Sequence, residues 1–245
     1  MPLRALFKPL LDFALPPRCP ICGVTVDADN RFCLSCWQGL DFLARPWCAG
    51  CGLPFAYDRA DDSLCVKCLA DPPSHDGVRA VVRYDDQSAL IAMRLKYGTR
   101  LGLAILIAEH LQKFAAECSE NSVIVPVPLH RSRLWLRGFN QSVLIGRELS
   151  RSAGIGMNHD VIFRHKPTPL LRGMSGTQRR KTVDTAFALR ADARLAIAGK
   201  SVLLVDDVYT SGSTSNACAR LLKKAGAEQV LVFCWARVIS DFENG

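Results

Sequence analysis

Apolar and polar positions fall into two regimes that meet near residue 75. Beyond it, short apolar runs alternate with segments in which apolar residues recur every three or four positions. The runs predict strands over Val78–Tyr84, Ser122–Val127, Val161–Arg164, Ala186–Arg190, Ser201–Asp206 and Gln229–Ala236. The periodic segments predict helices over Ser88–Leu95, Leu101–Ala116, Gln141–Ala153 and Ser213–Ala225, the last stopped by Gly226. Strands alternating with helices imply an α/β fold: a parallel sheet with helices on both faces.

Before residue 75 the pattern is different. Leu3, Phe7, Leu10 and Ala14 suggest a short amphipathic helix. Lys8, Pro9 and Asp12 break that stretch, and no small-residue cleavage site follows, so it does not read as a secretory signal. The turn-rich Asp71-Pro72-Pro73-Ser74-His75-Asp76-Gly77 marks the expected boundary, dividing the chain into residues 1–75 and 76–245. No apolar run approaches the length needed to span a bilayer, so a soluble, cytoplasmic protein without membrane insertion is expected. With 245 residues, 49% of them apolar, the chain can bury a real core.

Eight of the eleven cysteines obey one rule. Cys19-x2-Cys22, Cys33-x2-Cys36, Cys48-x2-Cys51 and Cys65-x2-Cys68 are four pairs with the two-residue spacer that lets both thiolates of a hairpin knuckle face one ion. Two knuckles complete a tetrahedron, so the eight are candidate ligands of two structural Zn2+ ions. Consecutive pairing is simplest, and cross-bracing fits the spacing too. Without an export signal, a disulfide framework is the poorer reading. Zinc would substitute for a core that so short a segment could hardly build. Cys218 and Cys234 read as small buried apolar residues, while Cys118 ends a predicted helix.

Charge separates the halves further. Residues 1–75 carry 7 Lys+Arg and 8 Asp+Glu, a net −1, whereas residues 76–245 carry 24 and 15, a net +9. Within the second half, residues 131–181 hold 11 basic side chains against only Glu148 and Asp160. Such a segment attracts phosphates, on a small molecule or on nucleic acid. Loading two zinc ions on eight thiolates removes four charges, so the formal +8 falls to about +4 and the ribbon part becomes about −5. A nucleic-acid clamp built on the ribbons is thereby disfavoured. Their aromatics, Phe32, Trp37, Trp47, Phe55 and Tyr57, lack the basic surround of a stacking groove, so a structural or interaction cap is the better reading.

The most informative stretch is Val202-Leu203-Leu204-Val205-Asp206-Asp207-Val208-Tyr209-Thr210-Ser211-Gly212-Ser213-Thr214. An apolar strand ends in two acids, and small hydroxylated residues then open a helix. Backbone N–H groups can converge there, the hydroxyls add donors and the helix dipole favours an anion, so Thr210 to Thr214 would cradle a phosphate. Asp206 and Asp207 would accept hydrogen bonds from sugar hydroxyls, and together these describe a receptor for a ribose 5-phosphate. No Lys follows Gly212, so this is not a Walker loop.

These residues resemble the phosphoribosyl pyrophosphate (PRPP) signature of type I phosphoribosyltransferases. Tyr209 departs from it, since a smaller aliphatic residue is usual there. The wider combination is more specific: two zinc ribbons, Leu95-Lys96-Tyr97-Gly98, the run VPVPLHRSRLWLRGFNQS from Val125 to Ser142, an Arg-rich loop closing in Ala186-Phe187, and the acid pair. Over nearly the whole chain this resembles the ComF/GntX family, whose members include proteins linked to DNA uptake and to gluconate use. The resemblance implies a type I phosphoribosyltransferase-like sheet preceded by a double zinc ribbon.

It further implies that Pro126 to His130 meets pyrophosphate, with Pro128 in the loop and Arg131, Arg133 or Arg137 pairing the charge. His130 either donates to a ligand oxygen or faces solvent. Thr168 to Thr185 would close over PRPP with Arg179 as the matching arginine, although Thr182 and Leu171 stand where the family usually has Asn and Gln. Lys96 and Tyr97 also match a family motif, yet a helix-end lysine and a core tyrosine would look the same. On that resemblance the protein would, if an enzyme, be a pentosyl-transferring glycosyltransferase. It would bind PRPP with Mg2+, Asp206 and Asp207 holding the ribose hydroxyls directly or through the ion, and displace pyrophosphate through an oxocarbenium-like transition state, onto an acceptor that nothing in the chain identifies. Asp206, Asp207, Arg137 and Arg179 would be the catalytic set. The alternative is a non-catalytic protein, responsive to PRPP or accessory to DNA uptake, whose basic segment binds single-stranded DNA or a DNA-uptake or replication protein.

Overall fold

The structure is a computed structural model that describes residues 16–97, 102–166 and 185–239. The suggested helix before residue 16 and the excursion carrying Leu171, Arg179 and Thr182 lie outside the described residues. Among the described residues there are six strands: β1 (Val78–Arg83), β2 (Ser122–Pro126), β3 (Ile162–Arg164), β4 (Phe187–Leu189), β5 (Ser201–Tyr209) and β6 (Gln229–Arg237). Four form a parallel sheet in the order β1-β6-β5-β2, and β3 pairs antiparallel with β4 in a separate ribbon.

The central strands explain their own sequence. β6 is buried from Val230 to Arg237, and β5 from Ser201 to Val205, because helices cover both faces. Alternate residues serve opposite layers. Val202, Leu204, Val230 and Val232 pack with Ile197, Ala217 and Leu222 on one side. On the other, Leu203, Val205, Phe233 and Trp235 pack with Ile91, Leu95, Leu106, Ile107, Leu111, Ile145 and Leu149. Cys218 and Cys234 are fully buried in the first layer, as expected of small apolar residues.

Eight described helices complete the fold: α1 (Leu34–Gln38), α2 (Val66–Ala70), α3 (Asp86–Tyr97), α4 (Leu103–Ala115), α5 (Arg131–Arg137), α6 (Gln141–Ala153), α7 (Ala193–Ile197) and α8 (Ser213–Lys224). The four long ones match expectation within a few residues. Short helices α1, α2, α5 and α7 carry too few core-facing positions for periodicity to reveal them, and α5 buries no side chain at all. β5 continues to Tyr209, past the expected end at Asp206, because pairing with β6 persists through Val208↔Ala236 and Tyr209↔Arg237.

The two ribbons repeat one design. Cys19 and Cys48 each open a tight turn, Cys19 N–H donating to Val24 O and Cys48 N–H to Leu53 O. The second pairs are not hairpin knuckles: Cys33 and Cys65 are N-caps of α1 and α2, which carry Cys36 and Cys68 in their first turns. The connector between the ribbons joins the sheet. Phe42 bridges Val82 antiparallel, Leu43 N–H donates to Val81 O at 3.0 Å, and Arg83 N–H donates to Asp41 O at 2.8 Å. Phe32, Trp37 and Phe42 cluster with His110 of α4, and Phe32 also stacks near Trp235, seating the first ribbon on the sheet layer.

Candidate functional site

The eight thiols fall into two quartets, Cys19/Cys22/Cys33/Cys36 and Cys48/Cys51/Cys65/Cys68, with all Sγ atoms of each within 4.8 Å of one another. Pairing is therefore consecutive, and the cross-braced alternative is removed. The Cys22–Cys33 and Cys51–Cys65 sulfur separations, 3.6 and 3.7 Å, match the edge of about 3.8 Å of a tetrahedron with metal–sulfur bonds of about 2.3 Å. Backbone donors reach the sulfurs: Cys65 N–H approaches Cys48 Sγ at 3.2 Å and Cys51 N–H at 3.5 Å. Burial opposes ionisation of Cys19, and N–H groups of Cys22, Cys33 and Ile21 outweigh it, bringing that thiol down to about 6. Four protein ligands fill each tetrahedron, so the fit is to structural zinc.

The acid pair sits inside β5 near its carboxyl end. Asp206 Oδ1 accepts from Ser142 Oγ at 3.3 Å and from the Asp207 N–H at 2.9 Å. Ser142 stands in the first turn of α6, set by Asn140, whose side chain accepts from Ser142 N–H and donates to Val127 O. Burial, then the neighbouring Asp207 charge, pushes Asp206 up to about 7. Asp207 pairs instead with Lys96 of α3, Nζ to Oδ2 at 2.5 Å.

Beyond the acids the chain turns into α8. Thr210 and Ser211 are exposed, Gly212 is buried, and Ser213 and Thr214 are half-buried. Gly212 occupies the left-handed region at φ 73° as the N-cap of α8 and provides no side-chain cap, so the N–H groups of the first turn keep their donor capacity. Tyr209 does not face this turn from solvent. Its ring is buried, its hydroxyl lies 3.1 Å from His75 Nε2, and the two rings meet edge-on at 83°. A Cβ at residue 212 would come within 2.4 Å of the Tyr209 hydroxyl, so this tyrosine is packed directly beneath the loop.

The expected pyrophosphate segment follows β2. Pro128 is half-buried, and His130 caps α5, its Nδ1 accepting from Ser132 N–H at 3.2 Å. Arg137 ends α5 and donates to Gln141 Oε1 at 3.2 Å and to Tyr97 Oη at 3.4 Å, its guanidinium lying 5.0 Å from the Tyr97 ring centre. Tyr97 is thus a surface strut, 67% exposed, and not a core residue. The structure brings Asp206, Asp207, Arg137 and the 210–214 turn to one end of the sheet, while Arg179 lies outside the described residues. Lys96 and Ser142 were not among the sequence candidates for this cluster. Lys96 had only its place in Leu95-Lys96-Tyr97-Gly98 to signal it, and Ser142 only its place at a helix start and at the end of the run from Val125 to Ser142.

Magnesium, expected with the ligand, finds no ready seat here. Lys96 already engages Asp207 Oδ2, and Asp206 is held near its protonation point, so the pair does not fit a resident divalent ion.

A cleft of about 830 Å3 adjoins the β2 loop, sharing Pro128 and Arg131 with the expected pyrophosphate segment and reaching α6 and the β3–β4 ribbon. Arg131, Arg147, Arg164 and Arg190 line it with Phe139 and Phe163, and Arg190 stacks 4.8 Å over Phe163.

The double zinc ribbon domain family matches residues 10–69, and the phosphoribosyl transferase domain family matches residues 141–241. The chain is 31% identical over 216 residues to Competence protein F of Haemophilus influenzae, covering 86% of this chain and 92% of that one. It is 31% identical to the DNA utilization protein YhgH of Escherichia coli O157:H7, covering 78% and 84%. To Competence protein ComFC of Bacillus subtilis it is 28% identical, covering 85% of each. Among solved structures, the allosteric regulatory enzyme of purine biosynthesis aligns over 58% of this chain and 30% of its own, at TM-score 0.36 and 23% identity. An adenine phosphoribosyltransferase from Thermoanaerobacter pseudethanolicus aligns over 56% and 82%, at TM-score 0.36 and 15% identity. A type I phosphoribosyltransferase-like sheet carrying a double zinc ribbon, with relatives along most of its length, makes this chain a member of the ComF family.

Proposed function

We propose that the chain binds a phosphorylated ribose of the PRPP type at the carboxyl end of β5. One observation carries the reading: half-buried Asp206 and buried Asp207, at the carboxyl end of β5, precede by two residues a turn whose helix has no side-chain cap, with Arg137 at the same end of the sheet. Asp206 and Asp207 accept hydrogen bonds from the ribose hydroxyls. Thr210, Ser211, Gly212, Ser213 and Thr214 surround the 5-phosphate with N–H and O–H donors. Pro128 and His130 shape the pyrophosphate loop, where Arg137 and, from the excursion outside the described residues, Arg179 offset the diphosphate charge.

The reaction this arrangement supports is displacement at C1. The C1–oxygen bond to pyrophosphate breaks, both its electrons leave with pyrophosphate, and an acceptor lone pair forms the new bond as the acceptor releases its proton. The acids position the sugar and favour positive charge developing on the ring, and the arginines stabilise the departing anion. Calorimetric titration of the zinc-loaded protein with PRPP tests the reading. Micromolar binding abolished in Asp206→Asn/Asp207→Asn is expected, and equal binding by wild type and variant would exclude it.

A second reading follows from the arginine-lined cleft and from relatives named for competence and DNA utilization. Here the protein serves DNA uptake, with single-stranded DNA running past Phe163 and its arginines as the basic segment neutralises phosphates. Arg147→Ala/Arg190→Ala would then weaken binding of a short oligonucleotide at least ten-fold and flatten its salt dependence by about two phosphate contacts, leaving PRPP binding intact.

A further inference from the structure

Two neighbouring carboxylates in the interior need positive charge close by, and here the chain supplies it. Lys96 Nζ lies 2.5 Å from Asp207 Oδ2, with only 7% of the aspartate side chain and 23% of the lysine side chain exposed. The ammonium does not ride on a free surface arm. Lys96 occupies the last turn of α3, whose Ile91, Ala92 and Leu95 are buried in the sheet layer with Phe233 and Trp235. The next residue, Tyr97, carries Arg137 across its ring and accepts a hydrogen bond from it. One dipeptide therefore contacts both Asp207 of the acid pair and Arg137 at the end of α5.

A divalent ion held by the protein at this pair would compete for the same Asp207 oxygen. It would also stand close to an ammonium, and like charges repel strongly at the reduced effective dielectric of a half-buried site. The cysteine quartets are the only groups of three or more metal-capable side chains among the described residues, so no third ligand joins the pair.

We propose that Lys96 is the built-in cation of the Asp206–Asp207 pair, occupying the place a protein-held divalent ion would take, so that magnesium enters this site only on the phosphates of its ligand. The first part concerns the protein's own side chains and stands alone. The second rests on the phosphorylated-ribose reading above.

The test uses the full zinc-loaded chain and Mn2+ alone, with free ion followed by electron paramagnetic resonance and no sugar present. Wild type and Asp207→Asn should take up Mn2+ equally weakly. Lys96→Met should bind it roughly ten-fold or more tightly, Lys96→Arg should behave as wild type, and Lys96→Met/Asp207→Asn should lose the gain. Wild-type binding that falls in Asp207→Asn would overturn the proposal. So would unchanged uptake by Lys96→Met with its two zinc ions and unfolding temperature retained. If Lys96→Met does not fold, the comparison of wild type with Asp207→Asn still decides. A parallel PRPP titration separates the two claims: a full Mn2+ pattern without PRPP binding by any variant removes the sugar ligand and leaves the lysine's role supported.

Discussion

The ribbons and the β5 acid pair both gather anionic groups out of water, and they balance them differently. Each ribbon assembles four thiols whose other partners are backbone amides and, at the second quartet, the Arg237 guanidinium 3.1 Å from Cys51 Sγ, so most of the counter-charge fits an imported ion. The acid pair has Lys96 at 2.5 Å, fixed by a packed helix, so its counter-charge is covalently part of the chain. The first arrangement joins folding to metal supply. The second leaves a site pre-charged for a ligand, at the cost of keeping Asp206 half-buried beside another carboxylate.

The largest effect that would sharpen this contrast lies in the ribbons. Cys65→Ser should bind one zinc per chain in place of two by atomic absorption, and lose several kcal/mol of stability, since structural zinc contributes on the order of 10 kcal/mol to such folds. Cys33→Ser should also lose one ion. Loss of both ions from either variant would mean that the quartets are not independent, breaking the separation drawn here.

At the acid-pair end, Gly212→Ala should destabilise by about 2–3 kcal/mol in thermal unfolding. The added carbon meets a φ of 73° and the Tyr209 hydroxyl at 2.4 Å. Zinc content should stay at two, because the strain sits away from the sulfurs.

Asp206→Asn should stabilise the protein at pH 8 by about 1–2 kcal/mol, partial solvent contact having reduced the full linkage. Asp206 in the fold is raised from 3.8 to about 7. Folding therefore holds a proton there that the unfolded chain releases. Its stabilising contribution is complete below pH 3.8 and lost as pH rises through 7, so the advantage of Asn grows across that interval and levels off above it. An advantage that shrinks with rising pH would show that Lys96 outweighs burial at this pair.

The smallest effect is expected of Tyr209→Phe, about 1 kcal/mol from the lost contact with His75. The phenylalanine ring still supports the loop, so phosphate binding should change less than two-fold. A large loss of PRPP affinity would instead make the hydroxyl part of the ligand site.

What could be read beforehand divides along physical lines. The sheet was legible because buried parallel strands are continuous apolar runs, as in Val202-Leu203-Leu204-Val205, and the metal sites because two-residue cysteine spacing has few other uses. The direction of Tyr209 was not. A tyrosine in a small-residue loop shows only as a departure until His75, from the turn before β1, is seen to receive it. Nor was the partner of Lys96, which matched a family motif but whose aspartate is distant in sequence. α5 escaped for the opposite reason: Leu134, Trp135 and Leu136 point to no core, and Trp135 is 91% exposed, so the residues were visible while their helical order was not.

The pairing of Phe42 with Val82 has a further consequence. β1 is an outer strand of the sheet, and a bare outer strand presents unpaired amides on which another molecule can build. The connector between the two sulfur quartets covers that flank and is anchored by Cys36 of α1 at one end and by the Cys48 turn at the other. Depletion of zinc should therefore appear first as sticking of one molecule to another through the uncovered flank, before the sheet itself comes apart.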